Sequence, residues 1–187
     1  MTVRERPFPD PTILLHPNIP KPLHLVNPRT ILGGAWWEKT RKESYVKYEG
    51  NEFRCHACGI EKYDAPYRSW LEAHEMYKID YTTGRVEFTD VVALCHSCHN
   101  YIHRGRLQSL LAKGEISQAF YLDLSIHGDR ILTAAGIPLD VNAQLVNLLG
   151  GLGLMCNWED YHMVVNGVRY ERRFKDFEEW KSYWEAK

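Results

Sequence analysis

Four of the five cysteines of this 187-residue chain stand in two Cys-x-x-Cys pairs, Cys55/Cys58 and Cys95/Cys98. A two-residue gap lets both sulfurs of a pair reach one ion without strain. Two such pairs supply the four tetrahedral thiolates that a closed structural zinc site requires. The second pair lies in ALCHSCHNYIHRG, where two cysteines and three histidines fall between positions 95 and 103. Once Cys95 and Cys98 are assigned to zinc, His99 and His103 remain. They are four apart, so on a helix they share one face, at a spacing suited to a second metal. The strand expected opposite carries a further histidine, His74. His56 and His96, inside the pairs, are the alternative zinc ligands, which a complete set of four thiolates leaves unneeded. Reduced core cysteines or disulfides are the other readings of the pairs. A thiol redox role is the weakest, because paired spacing is better explained by zinc.

The elements that must hold these residues can be read from the chain. SWLEAHEMYKID and RVEFTDVVALC alternate as strands, with YTTG as the turn between them. Gly59, directly after Cys58, suits a tight turn that aims both sulfurs inward. The second pair opens a helix near His96, with Gly105 as the expected break. One zinc ion would then staple the two ends of the hairpin and replace core that a small module lacks. Before this core, residues 1–34 hold seven of the nine prolines. That segment reads as an extended arm lying over the body of the protein or on a partner protein. Residues 35–49 are helix-compatible, with Trp37, Arg41, Tyr45 and Tyr48 on one face, closed by Gly50 and Asn51. After the core, RLQSLLAK and SQAFYLDLSIHGDRILTAA read as helices. YHMVVNGVRYERR is a hairpin around Asn166-Gly167, and a last helix starts at Asp176 with Glu179 three residues on. The expected fold class is α+β. Its parts are an arm (1–34), a zinc-stapled core with its preceding helix (35–114), a helical segment (115–137) and a hairpin-helix extension (138–187).

The formal net charge is −1, so overall charge carries no case for a nucleic-acid partner. The N-terminus shows no apolar secretory core. The most apolar run, 145–156, is short and carries Asn147 and three glycines, so no membrane span is expected. Reduced cysteines without a secretory signal point to the cytoplasm.

Residues 53–106, with CHAC, LEAHE, TDVVALCHSCH and NYIHRG in order, resemble the HNH (ββα-metal) nuclease family. The IPKPLH and NPR stretches of the arm are similar to those of HNH proteins common in phage and bacterial genomes. The resemblance implies a small ββα-metal core and a phosphodiesterase that cuts DNA, leaving 5′ phosphate and 3′ hydroxyl in the host-cell cytoplasm. It implies that His74 is the general base and that His99 is a helix metal ligand. His103 joins it, as in members with a His-x-x-x-His helix. The divalent ion would be Mg, Mn, Ni or Zn, separate from the structural zinc. The position of the family's asparagine is taken by Asp90, well suited to accept a hydrogen bond from His74 and fix its tautomer. The family's metal ligand just before the base is here Ala73, which cannot bind. Glu75, on the same side of the strand as Ala73, is the expected replacement, alongside water. Chemistry supports these types independently: a neutral imidazole takes a proton from water, and a divalent ion is a Lewis acid toward phosphate.

Arg68, Arg104 and Arg106 flank this region and are the expected phosphate contacts. VRYERRFK reads either as a DNA-contacting hairpin or, slightly preferred, as an edge strand guarded by charge. His16, His24, His127 and His162 find no partner in the sequence and are read as structural. Trp36, Trp37, Trp158, Trp180 and Trp184 are read as core. The rival function, which Ala73 supports, is a zinc-stabilised scaffold that has lost hydrolysis and binds DNA or a protein partner.

Overall fold

In the computed structural model, residues 7–139 and 141–186 are described. The first six residues of the expected arm, and Asp140 and Lys187 of the C-terminal extension, lie outside them. Helix α1 spans Pro28–Tyr45, strand β1 Glu72–Asp80 and strand β2 Arg85–Leu94. Helices α2 His96–Ile102, α3 Arg104–Ala112, α4 Gln118–Ala134 and α5 Val141–Gly151 follow. Strands β3 His162–Val165 and β4 Val168–Glu171 and helix α6 Phe177–Glu185 complete the chain. The fold is mixed α+β, with one four-stranded sheet in the order β1-β2-β3-β4.

The chain divides into two compact units that interleave in sequence. One comprises residues 1–16, 41–74 and 91–139, the other 17–40, 75–90 and 140–187. The division falls inside β1 after His74 and inside β2 before Val91. The second unit is built on parallel pairing of β2 with β3, Arg85 opposite His162, and antiparallel pairing of β3 with β4. Asn166 and Gly167, at φ 51° and 77°, make the tight turn between β3 and β4 that the Asn-Gly pair implies. Leu23, Tyr77, Val86, Tyr161, Met163 and Val165 form its core. Asp176 caps α6 by accepting from the Glu179 amide at 2.9 Å.

In the first unit the proline-rich segment is not a plain extended arm. Pro11–Leu15 forms a 3-10 turn whose Asp10 cap accepts from the Thr12 amide, and Ile13 and Leu14 are buried. Proline at the start of a turn lacks only an N–H that would be unpaired anyway. In the second unit the same logic moves the start of α1 from the expected residue 35 to Pro28. Asn27 Oδ1 accepts from the Thr30 amide at 3.0 Å, and the asparagine-proline pair reads as a cap followed by the first helical position. Gly33, at φ 85°, breaks the helix within. The helix ends at Tyr45, ahead of the expected Glu49.

Helix α4 buttresses α2 in this unit. A Cβ on Gly128 would lie 2.1 Å from the Tyr101 ring, so only glycine lets the two helices approach there. Tyr101 donates to Asp129 at 2.7 Å and is almost fully buried. This packing fixes the helix on which both candidate metal clusters depend.

Candidate metal centres

Two groups of ligand-type side chains converge among the described residues: Cys55, Cys58, Cys95 and Cys98, and His74, His99 and His103. Both lie in the first unit.

The first pair turns tightly. Gly59, at φ 76°, donates its amide to the Cys55 carbonyl at 2.8 Å. The pair is laid against β2 by the backbone: the His56 amide donates to the Ala93 carbonyl at 2.8 Å. That brings it beside Cys95, the residue that caps α2. Cys58 and Cys95 sulfurs are 3.9 Å apart. A disulfide needs about 2.05 Å, whereas tetrahedral thiolates at about 2.3 Å from a zinc ion lie roughly 3.8 Å from one another. The spacing and donor set fit zinc. Crowding divides the sulfurs: shared hydrogen bonds hold the thiols of Cys58, at about 6, and Cys95 down, while Cys55 and Cys98 are pushed up, Cys55 chiefly by burial. The cluster therefore already favours negative charge at neutral pH.

Both alternative zinc ligands are engaged elsewhere. His56 Nδ1 accepts from the Ala93 amide at 3.3 Å. His96 Nδ1 lies 2.6 Å from Glu72 Oε1. A different histidine attends the sulfurs: His127, on α4, places Nε2 3.4 Å from Cys98 Sγ. Contact with the Cys58 and Cys95 sulfurs raises it to about 9, so it is a cation beside thiolates.

The histidine group draws on one strand and one helix. His99 stands in the last turn of α2, and His103 is the residue at which α2 ends and α3 begins. The helix break thus falls on His103 rather than on Gly105. Alternation along β1 puts Glu72 and His74 on one face and Ala73 and Glu75 on the other. One ring nitrogen from each of His74, His99 and His103 lies within 4.8 Å of the others. Three imidazoles at this separation fit the donor chemistry of a divalent transition metal.

Glu72 organises the group. Its carboxylate contacts Nδ1 of both His96 and His99 and also takes Arg68 at 3.3 Å. Burial would raise its pKa, but contact with the two histidines outweighs this and holds it at about 2. An ionised carboxylate only accepts, so His99 donates Nδ1–H to it, which leaves Nε2 as the ring nitrogen that could meet a metal. Burial, with His16, His103 and His99 nearby, pushes His74 well below its ordinary value. Burial and the neighbouring His99 and Arg106 bring His103 to about 4. Both rings are neutral at pH 7, the form that binds metal. His74 Nε2 also lies 3.1 Å from Nδ1 of His16, which is buried.

Three contributors were missed in the sequence: Glu72, His16 and His127. Glu72 alone carried a signal, because strand alternation places it on the face of His74. The other expected residues stand as follows. Asp90 is half-buried on β2. Glu75 belongs to neither ligand group; its carboxylate accepts from the Tyr77 hydroxyl at 3.1 Å, and burial pushes its pKa up. Arg104 is exposed and donates to the Tyr101 hydroxyl at 3.2 Å. Arg106 is exposed on α3, and Arg68 is exposed ahead of β1. No helix among the described residues is long and apolar enough to cross a membrane.

Comparisons with protein families, curated proteins and solved structures return no match to this chain.

Proposed function

We propose that the chain is a metal-dependent nuclease of HNH type that hydrolyses DNA phosphodiester bonds at the histidine cluster, with zinc in the cysteine cluster holding the fold. The observation that carries this reading is the convergence of His74 from the strand with His99 and His103 from the helix, beside a separate four-cysteine group. A divalent ion held by His99 and His103 would supply Lewis-acid stabilisation of the phosphate. Glu72 sets the tautomer of His99, a carboxylate–histidine arrangement that strengthens a ligand. His74, neutral at pH 7, takes the proton of the attacking water. In this proposal the orienting role that the resemblance gives to Asp90 falls to His16, whose Nδ1 meets His74 Nε2. The metal-ligand place expected of Glu75 is left to water in this proposal, and Glu72 instead backs His99. In this proposal Arg104 and Arg106, both exposed, meet substrate phosphates, and Arg68 first holds Glu72.

A second reading has its own support. A base works best with a pKa near the working pH, and His74 is held well below its ordinary value. Three imidazoles are also the ligand set of some catalytic zinc sites. His74 then completes the ion's shell and water is activated without a protein base.

Cleavage of supercoiled plasmid with Mg, Mn, Ni and Zn, by wild type and His74→Ala, tests the proposal together with metal analysis. If His74 is the base, His74→Ala keeps the second metal and loses cutting. If it is a ligand, both are lost. A wild type that fails to cut with every metal tried, yet binds DNA or a protein through its N-terminal segment, is the inactive scaffold instead.

A further inference from the structure

The stretch from Phe53 to β1, which contains the first cysteine pair, also carries aromatic rings that neither metal cluster uses. Phe53, Tyr63, Tyr67 and Trp70 are 41%, 69%, 51% and 53% exposed. Rings of this size dominate cores when buried, so several held in water within one short stretch mark a contact surface. Phe53 and Tyr67 have φ of 57° and 70°, a region that bulky side chains rarely enter. Cations are interleaved with the rings. Lys62 Nζ lies 4.3 Å from the centre of Phe53 and 4.6 Å from that of Tyr63, and the Arg68 guanidinium lies 5.2 Å from Trp70. Arg41, Tyr45, Phe53, Lys62, Trp70 and Leu71 line a groove of about 290 Å³. Among the described residues no carboxylate lines it. The nearby Glu61 is paired with Arg54 at 3.3 Å, and Glu72 is held by Arg68 and two histidines.

We infer that this groove binds an unpaired stretch of the DNA substrate, with a base stacked on Trp70 and the backbone phosphates against Lys62 and Arg41. The inference rests on the nuclease reading and specifies its substrate. Exposed ring faces offer stacking only to bases that are not already stacked in a duplex, and every base has such a face. Two of the lining residues, Arg41 and Lys62, are cations and none is acidic, a lining that favours a polyanion over a peptide. Trp70 precedes Glu72 by two residues and His74 by four. Four residues of chain reach at most about 14 Å, so one bound strand can span both the groove and the histidine cluster.

The test uses the full chain carrying His74→Ala, so that DNA stays intact. Fluorescence anisotropy compares a labelled oligothymidine with a duplex of the same length over a range of salt. The single strand binds more tightly than the duplex. Trp70→Ala weakens single-strand binding about tenfold, and Lys62→Glu weakens it while lowering the salt dependence by roughly one ion. Trp184→Ala, which removes an exposed ring on α6, changes neither. Unchanged single-strand affinity in both Trp70→Ala and Lys62→Glu overturns the inference, as does a preference for duplex. The two readings fail separately. Trp70-dependent binding in a protein whose wild type never cuts leaves the groove standing and removes the nuclease. Cutting with the same KM in Trp70→Ala does the reverse.

Discussion

The cysteine and histidine clusters share a helix yet are built in opposite electrical senses. Cys95 caps α2, Cys98 lies within it and His99 stands in its last turn. Three of the four cysteines are fully buried and Cys58 is half-buried, whereas of the histidines only His74 is buried and His99 and His103 are half-buried. The thiol group concentrates negative charge, and its outer partner is a cation, His127. In the imidazole group His74 and His103 are kept neutral, and the outer partner is an anion, Glu72. Four thiolates suit a permanent ion. Imidazole ligands, two of them half-buried, suit an ion that must also meet a substrate. The difference lies in which residues back the ligands, and it separates what holds the fold from what can act.

The largest effect should come from the cysteine side. Cys95→Ser, or chelation, should abolish the cooperative melting transition of the protein, because apparent zinc binding energies of about 10–16 kcal/mol are folding energy. Calorimetry and metal analysis check this: wild type holds one tight zinc, and the variant holds none. A variant with zinc and an unshifted Tm would erase the distinction between the clusters.

Next comes His74→Ala, with the opposite pattern. Cutting should fall about 10²–10⁴-fold, while zinc content and Tm stay close to wild type. A collapse of the fold on this substitution would make the histidine group structural too.

Glu72→Gln should have a smaller and more selective effect. Losing the carboxylate behind a ligating histidine costs about 10–100-fold in metal affinity. Isothermal titration with Mn or Ni should show that loss at the histidine site, with tight zinc retained. Equal losses at both sites would mean that Glu72 merely supports α2.

The smallest effect is a pH slope. Burial and neighbouring charge bring folded His103 to about 4, against 6.5 ordinarily. As pH falls below about 6.5 the unfolded chain takes up this proton first, so stability present above that pH is lost progressively toward pH 4. Denaturant melts of the form without a divalent ion at the histidines should therefore weaken between pH 7 and 5. His103→Gln should flatten that slope. An identical slope in the variant would place the titration elsewhere.

What the sequence determined is whatever short spacing enforces. The gap of two between cysteines, the glycine behind the first pair, the four-residue step from His99 to His103 and the Asn-Gly turn each act through a few adjacent φ/ψ values. Those values are set by the residues themselves. The same holds for the cap at Asp176, whereas the start of α1 at Pro28 was expected only at residue 35, because the prolines around it read as an extended arm. The tertiary structure alone decided which distant groups back the ligands. His16 meets His74 across 58 positions, Glu72 reaches His99 across 27, and His127 reaches Cys98 across 29. No periodicity links such positions. Their contact follows from how α4 closes on α2 through Gly128 and how the proline turn tucks Ile13 and Leu14 into the core. The interleaving of two units along one chain was equally hidden, because strand pairing is a choice among distant partners that local pattern leaves open.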